Sequence, residues 1–169
     1  MSDSYAKSGI IKRLLELAPI IILFISVLNE FDLNYLNIEY FSFNFPLILI
    51  FYFSVKGYLN FDYLLVFFAG LINDTVIGLP LGLSSLSYML VCIFASYLRN
   101  MTIRPHLIKD WFYFLFVISL INSINYSVLF FFFSFELDIM FYIINNFFTF
   151  LFYIPATLFL KYYMKAIND

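Results

Sequence analysis

Few side chains in this sequence are equipped for chemistry, and residues 68–90, FAGLINDTVIGLPLGLSSLSYML, hold one of the few compact groups of polar and special residues. Asn73 and Asp74 end an apolar run, and Thr75, Gly78, Pro80, Gly82, Ser84, Ser85 and Ser87 follow closely. In so apolar a chain, a carboxylate, a proline and spaced glycines are costly and need a reason. Asp74 has three conceivable uses. It can cap the helical turn after Val76 by accepting backbone N–H groups, pin the turn against another helix or a partner, or relay protons. The last is the weakest reading, because no second acidic residue or histidine lies in an adjacent apolar segment. At the C-terminal end of a helix a carboxylate also meets the negative end of the dipole, which is mildly unfavourable without such partners.

Elsewhere the chemistry is sparse. Cys92 is the sole cysteine, so an intrachain disulfide and a multi-cysteine zinc site are both excluded, and it reads as a small buried or lipid-facing residue. His106, also alone of its kind, stands beside Arg104 and Lys109 and reads as a surface residue. No glycine-rich phosphate loop or metal-ligand cluster is present, and no serine is paired with a histidine. No catalytic residue, metal or cofactor is expected, and the chain reads as non-enzymatic. A lipid-processing enzyme would call for paired acidic residues that the sequence lacks.

The background is a membrane composition. Of 169 residues, 64% are hydrophobic and 12% charged, and the mean hydropathy is +0.95. Soluble domains carry about 25% charged residues, so too little polar surface is available to cover a water-soluble globule. The fold class expected is all-α, a polytopic helical bundle forming one membrane domain over 1–169. Membrane lipid is its expected surroundings, and nucleic acid is not an expected partner. A cleavable leader is not expected: Glu16 interrupts the first apolar segment and the acidic NEFDLN follows it.

Six apolar segments are expected to span, at about 14–28, 43–55, 61–73, 81–98, 111–133 and 139–160. Pro46 stands near the start of the second, where its missing N–H is harmless. The second and third are short for full crossings, so five spans with one of these re-entrant is the alternative. With a cytoplasmic N-terminus, every basic residue falls on the cytoplasmic side: Lys7, Lys12, Arg13, Lys56, Arg99, Arg104, Lys109, Lys161 and Lys165. Glu30, Asp32, Glu39, Asp74, Glu136 and Asp138 fall opposite. This is the positive-inside distribution, and it places both termini in the cytoplasm. Trp111, Tyr58, Tyr97, Tyr113, Tyr162 and Tyr163 lie near segment ends, as interfacial aromatics do.

Several polar residues within the segments invite pairing. Glu16 is spaced to pair with Lys12 or Arg13. Asn122 and Asn125 on the fifth segment are expected to satisfy Asn145 and Asn146 on the sixth, or to line a binding site. The serines of the fourth segment are expected to bond to their own helix or to a neighbour. Gly78-x-x-x-Gly82 matches a small-xxx-small spacing, although Pro80 makes a continuous helix across it doubtful.

The run GLINDTVIGLPLGL at 70–83 resembles the signature of the rod shape-determining protein MreD family, G-L-x-x-D, a few apolar residues, a small residue and x-P-L-G. Gly70, Leu71, Asp74, Gly78, Pro80, Leu81 and Gly82 stand in those places, and Arg99 ends the next segment as an arginine often does in that family. Asn73 departs from it, an apolar residue being commoner there. The resemblance implies a bacterial inner-membrane scaffold of the rod complex, or elongasome, that serves peptidoglycan synthesis and cell shape. It implies a bundle similar to the substrate-binding membrane subunits of vitamin-uptake (ECF) transporters. The partners implied are MreC, a single-span membrane protein, and indirectly MreB and a RodA-type glycosyltransferase with its transpeptidase. The site implied is the turn carrying Gly70, Asn73, Asp74, Gly78, Pro80 and Gly82. The alternative function is a small-molecule-binding subunit of an uptake transporter, with a pocket lined by Asp74 and the amides of the last two segments.

Overall fold

The computed structural model describes residues 17–28, 43–57, 63–102, 106–134 and 139–168. The described residues form six helices and no strand: α1 (Leu17–Leu28), α2 (Phe45–Lys56), α3 (Tyr63–Ile77), α4 (Leu83–Met101), α5 (Leu107–Phe133) and α6 (Ile139–Asn168). Each expected apolar segment lies on one of them. The pairing of Glu16, the acidic stretch 29–42, Tyr58, Arg104, Glu136 and Asp138 lie outside the described residues.

Two helices, Leu107–Phe133 and Ile139–Lys165, are long and apolar enough to cross a membrane. The others are shorter or more polar. At 1.5 Å per residue, the 12 residues of α2 cover roughly 18 Å and the 15 residues of α3 roughly 22 Å, against about 30 Å of hydrocarbon. The sequence places α2 on the inside nonetheless. It is apolar around its whole circumference, as a helix surrounded on all sides can be, and Pro46 through Ser54 are all buried. Asn44 starts it, its Oδ1 accepting the Leu47 N–H, with Pro46 in the first turn. The Asn44 N–H reaches across to the Thr149 hydroxyl of α6 at 2.9 Å.

Aromatic packing joins α2 to the long hairpin. The Phe51 ring lies 5.0 Å from that of Phe114 and 5.8 Å from that of Tyr153, and Phe114 stacks on Tyr153 at 4.6 Å. Trp111 stacks flat on Phe150 at 4.3 Å and donates its indole N–H to the Phe150 carbonyl at 2.8 Å. Sequence position suggested an interfacial role for Trp111; the structure uses its ring to lock α5 to α6. Tyr97 and Tyr162 do point outward.

On the other side of α2 lies α4, which packs most extensively on α3 and next on α2. The buried face of α3 comprises Val66, Ala69, Gly70, Asn73 and Asp74, the three-four spacing of one helical stripe. Opposite it stand the small residues Ser84, Ser85 and Ser87. The contact is closest at Gly70, where an added Cβ would sit 2.4 Å from the Ser85 Cα. A glycine inside a helix costs about 1 kcal/mol relative to alanine, and here that cost is offset by bringing two backbones together. Gly70→Ala is therefore expected to push α3 off α4 and lower the unfolding midpoint in detergent, a loss of about 1–3 kcal/mol. An unchanged midpoint for that variant would show that the two helices are not packed backbone to backbone.

Candidate functional site

The polar cluster singled out in the sequence folds into the junction between α3 and α4. Helix α3 continues past Asp74 to Ile77, so Asp74 lies within its final turn. That corrects the expectation of a helix ending near 73 with Asp74 at or beyond its end. The helix closes in a Schellman arrangement: the Leu79 N–H bonds the Asp74 carbonyl at 2.9 Å, and Gly78 adopts a left-handed φ of 74°. Gly82 is also left-handed, at φ 100°. No heavy atom lies within 4 Å of a Cβ built at either glycine. The Gly78-x-x-x-Gly82 spacing thus serves turn geometry and not helix approach; the approach belongs to Gly70.

The Asp74 side chain performs an unusual capping task. Gly82 occupies the cap position of α4 and has no side chain to offer its first amides. Asp74 supplies the missing acceptor from the preceding helix. Its Oδ2 accepts the Gly82 N–H at 2.7 Å and its Oδ1 accepts the Ser84 N–H at 2.8 Å. These amides lie farther along than the turn after Val76, so the carboxylate bridges the whole junction. It also moves from the unfavourable end of one helix dipole to the favourable end of another, and bonds to amides at under 3 Å decide which matters more. Asp74 is fully buried.

The neighbouring polar residues complete the bracing. Asn73 Nδ2 donates to Ser84 Oγ at 2.9 Å, and the Ser85 hydroxyl donates to the Phe67 carbonyl at 3.0 Å. Ser87 Oγ lies 2.8 Å from the Leu83 carbonyl and 2.9 Å from Asn125 Oδ1 of α5. Asn73, where the family resemblance was weakest, is thus a bridging residue. The Tyr88 hydroxyl, buried one turn beyond Ser84, has no hydrogen-bond partner.

The amides of the last two helices do not pair as a set of four. Asn122 donates to Asn146 at 2.5 Å, whereas Asn125 turns to Ser87 and Asn145 lies beside the Thr149 hydroxyl. Asn122 and Asn146 also line a cavity of about 380 Å³ between α5 and α6, with Tyr126 and Tyr142. Asp74 is not among the residues lining it. Cys92 is buried and accepts from the Ser54 hydroxyl at 3.6 Å. Among the described residues no group of three His, Cys, Asp or Glu side chains is placed to hold a metal.

At the far end of α4, Arg99 makes a second charged cap. Its Nη1 donates to the Ser54 carbonyl in the last turn of α2 at 3.4 Å, and its guanidinium lies over Gly57. A cation at the carbonyl end of a helix complements the dipole. The sequence marked Arg99 only by resemblance and was silent on its target, which is remote in the chain.

What the turn leaves outside is apolar. Leu81 is 72% exposed, and Val76 and Ile77 are exposed beside it. The arrangement holds a short, internally satisfied loop in one shape with an apolar tip.

Two substitutions test the cap. Asp74→Ala orphans two backbone donors, at about 1–3 kcal/mol for each, and is expected to speed hydrogen exchange at the Ser84 amide. Asp74→Asn keeps one carbonyl acceptor and is expected to lose less. Exchange at Ser84 that is identical in Asp74→Ala and the parent would show that the carboxylate is not the cap.

No protein family, curated protein or solved structure is matched by this chain.

Proposed function

We propose that this protein is a non-enzymatic inner-membrane scaffold of the MreD type, which docks an MreC-like single-span partner at the α3–α4 junction and so links an MreB cytoskeleton to peptidoglycan synthesis. The observation that carries this reading is the Asp74 cap. It spends the only carboxylate of the junction on shaping a loop, and leaves that loop's apolar tip, Leu81, uncovered. A preorganised loop binds without a large ordering cost. The RodA-type glycosyltransferase and its transpeptidase are reached through the partner.

Two further features support a multi-pass chain with both termini in the cytoplasm. The outward faces of α5 and α6 carry Phe131 at 76%, Phe132 at 79%, and Phe116, Ile143, Phe147 and Phe159 also exposed. A core helix of a soluble protein buries such residues, whereas lipid accepts them. The described basic residues also collect at one end of the bundle. Arg99 lies on the end of α2, and Lys56, Lys161 and Lys165 surround one cavity with the start of α5. The Asp74 junction is at the other end of α4. This distribution agrees with a six-span, positive-inside arrangement.

The second reading, a small-molecule-binding uptake subunit, is favoured by the cavity between α5 and α6, where Asn122 and Asn146 stand in a largely apolar lining. It no longer includes Asp74, whose oxygens are committed to α4.

A pull-down from detergent, with mass spectrometry of the retained proteins, separates the two readings. An MreC-like single-span protein is expected to co-purify with the parent and to be lost with Asp74→Ala. Leu81→Glu, at a position exposed in this fold, is expected to lose it while keeping the parent's unfolding midpoint. Recovery of a soluble ATPase in place of a wall-synthesis component would overturn the scaffold reading.

A further inference from the structure

A second built feature lies at the opposite end of the bundle from the Asp74 junction. A cavity of about 400 Å³ opens between the end of α2, the start of α5 and the end of α6. Ligand pockets run roughly 300–1,000 Å³, so the space is sufficient for a small polar head. Lys56, Lys161 and Lys165 reach it from two helices, and the first turn of α5 reaches it through Leu107. Val55 and Met164 supply apolar wall, and Tyr153 and Thr157 are among its polar lining.

The charges do not cancel. The one carboxylate in the lining is Asp110, only 5% exposed. It sits on the wall, where it feels the ammonium of Lys56 and the ring of His106. Lys161 and Lys165, one helical turn apart and both exposed, have no carboxylate besides Asp110 among the described residues of the cavity lining. The positive end of the α5 dipole adds to their field. An ammonium is a compact charge suited to phosphate oxygens, and the apolar walls are suited to a ligand that also carries hydrocarbon. Because α5 and α6 begin and end here, a membrane crossed by both would set the cavity at the level of the headgroups.

We propose that this basic cavity is a binding site for a phosphate group, held between Lys161 and Lys165 of α6 and Lys56 of α2. The phosphate comes either from an anionic phospholipid whose chains run down the outside of α5 and α6, or from a soluble phosphate. The site is independent of the docking loop.

The test uses the full chain purified in a neutral detergent, with binding followed by native mass spectrometry and by the unfolding midpoint. Phosphatidylglycerol, phosphatidylcholine and inorganic phosphate are added in separate arms. The parent is expected to bind phosphatidylglycerol in preference to phosphatidylcholine and to gain in midpoint. The double variant K161Q/K165Q is expected to bind it roughly twenty-five-fold more weakly, since each lysine near an anionic headgroup contributes about a factor of five. K109Q, an exposed lysine outside the cavity lining, is expected to match the parent. A midpoint rise with inorganic phosphate that the double variant lacks would support the site with a soluble ligand as its source. Equal responses of the parent and K161Q/K165Q in every arm, or no response of the parent in any, would overturn the proposal.

Discussion

Two hydrogen bonds, from the backbone amides of Gly82 and Ser84 to the carboxylate of Asp74, hold the start of α4 to the end of α3. Where water is scarce, the first amides of a helix need acceptors from the protein. Gly82 has none to give, so the acceptor must come from elsewhere, and a charged one bonds more strongly than a neutral one. Once that bond is made, the register of α4 along α3 follows. Asn73 meets Ser84, Ser85 meets the Phe67 carbonyl, and Gly70 lies against the Ser85 backbone. These contacts run one helical turn apart down a single face.

Helix α4 then carries the constraint inward. It lies between α3 and the buried α2, and its C-terminal Arg99 closes the carbonyl end of α2. A carboxylate at one end and a guanidinium at the other are each set against a helix end of opposite sign. The Tyr88 hydroxyl apart, buried polar side chains of the bundle find partners on their own or neighbouring helices: Ser54 with Cys92, Ser87 with Asn125, Asn122 with Asn146. Such pairing is what a low-dielectric surrounding demands, because an unpaired polar group there costs several times what its bond contributes.

The two ends of the molecule differ in character as a result. At the α3–α4 junction the carboxylate is turned inward and Val76, Ile77 and Leu81 are left exposed, which suits contact with another protein. At the other end lysines surround a cavity, which suits an anion. The proposed role, linking events on the two faces of a membrane, calls for different chemistry at the two ends.

The sequence alone determined that the chain is helical and apolar, with six segments close to where the helices lie, and that the polar group around Asp74 is the main irregularity. Composition and local chemistry decide such things: hydrophobic runs, a proline in the first turn of α2, and glycines that permit a left-handed turn are visible residue by residue. The end of α3 was not legible, because four residues after Asn73 continue the helix under the influence of packing against α4. Nor were the partners of Asp74, eight and ten residues on, or those of Arg99 and Asn125 in other helices. Spacing along the chain says which residues share a face and leaves open which face they meet. Gly78 and Gly82, whose spacing also matches a helix contact, form the turn that Pro80 between them points to, while Gly70, with the same side chain, is the contact. What separates them is the presence of a neighbouring backbone, and only the assembled bundle supplies one.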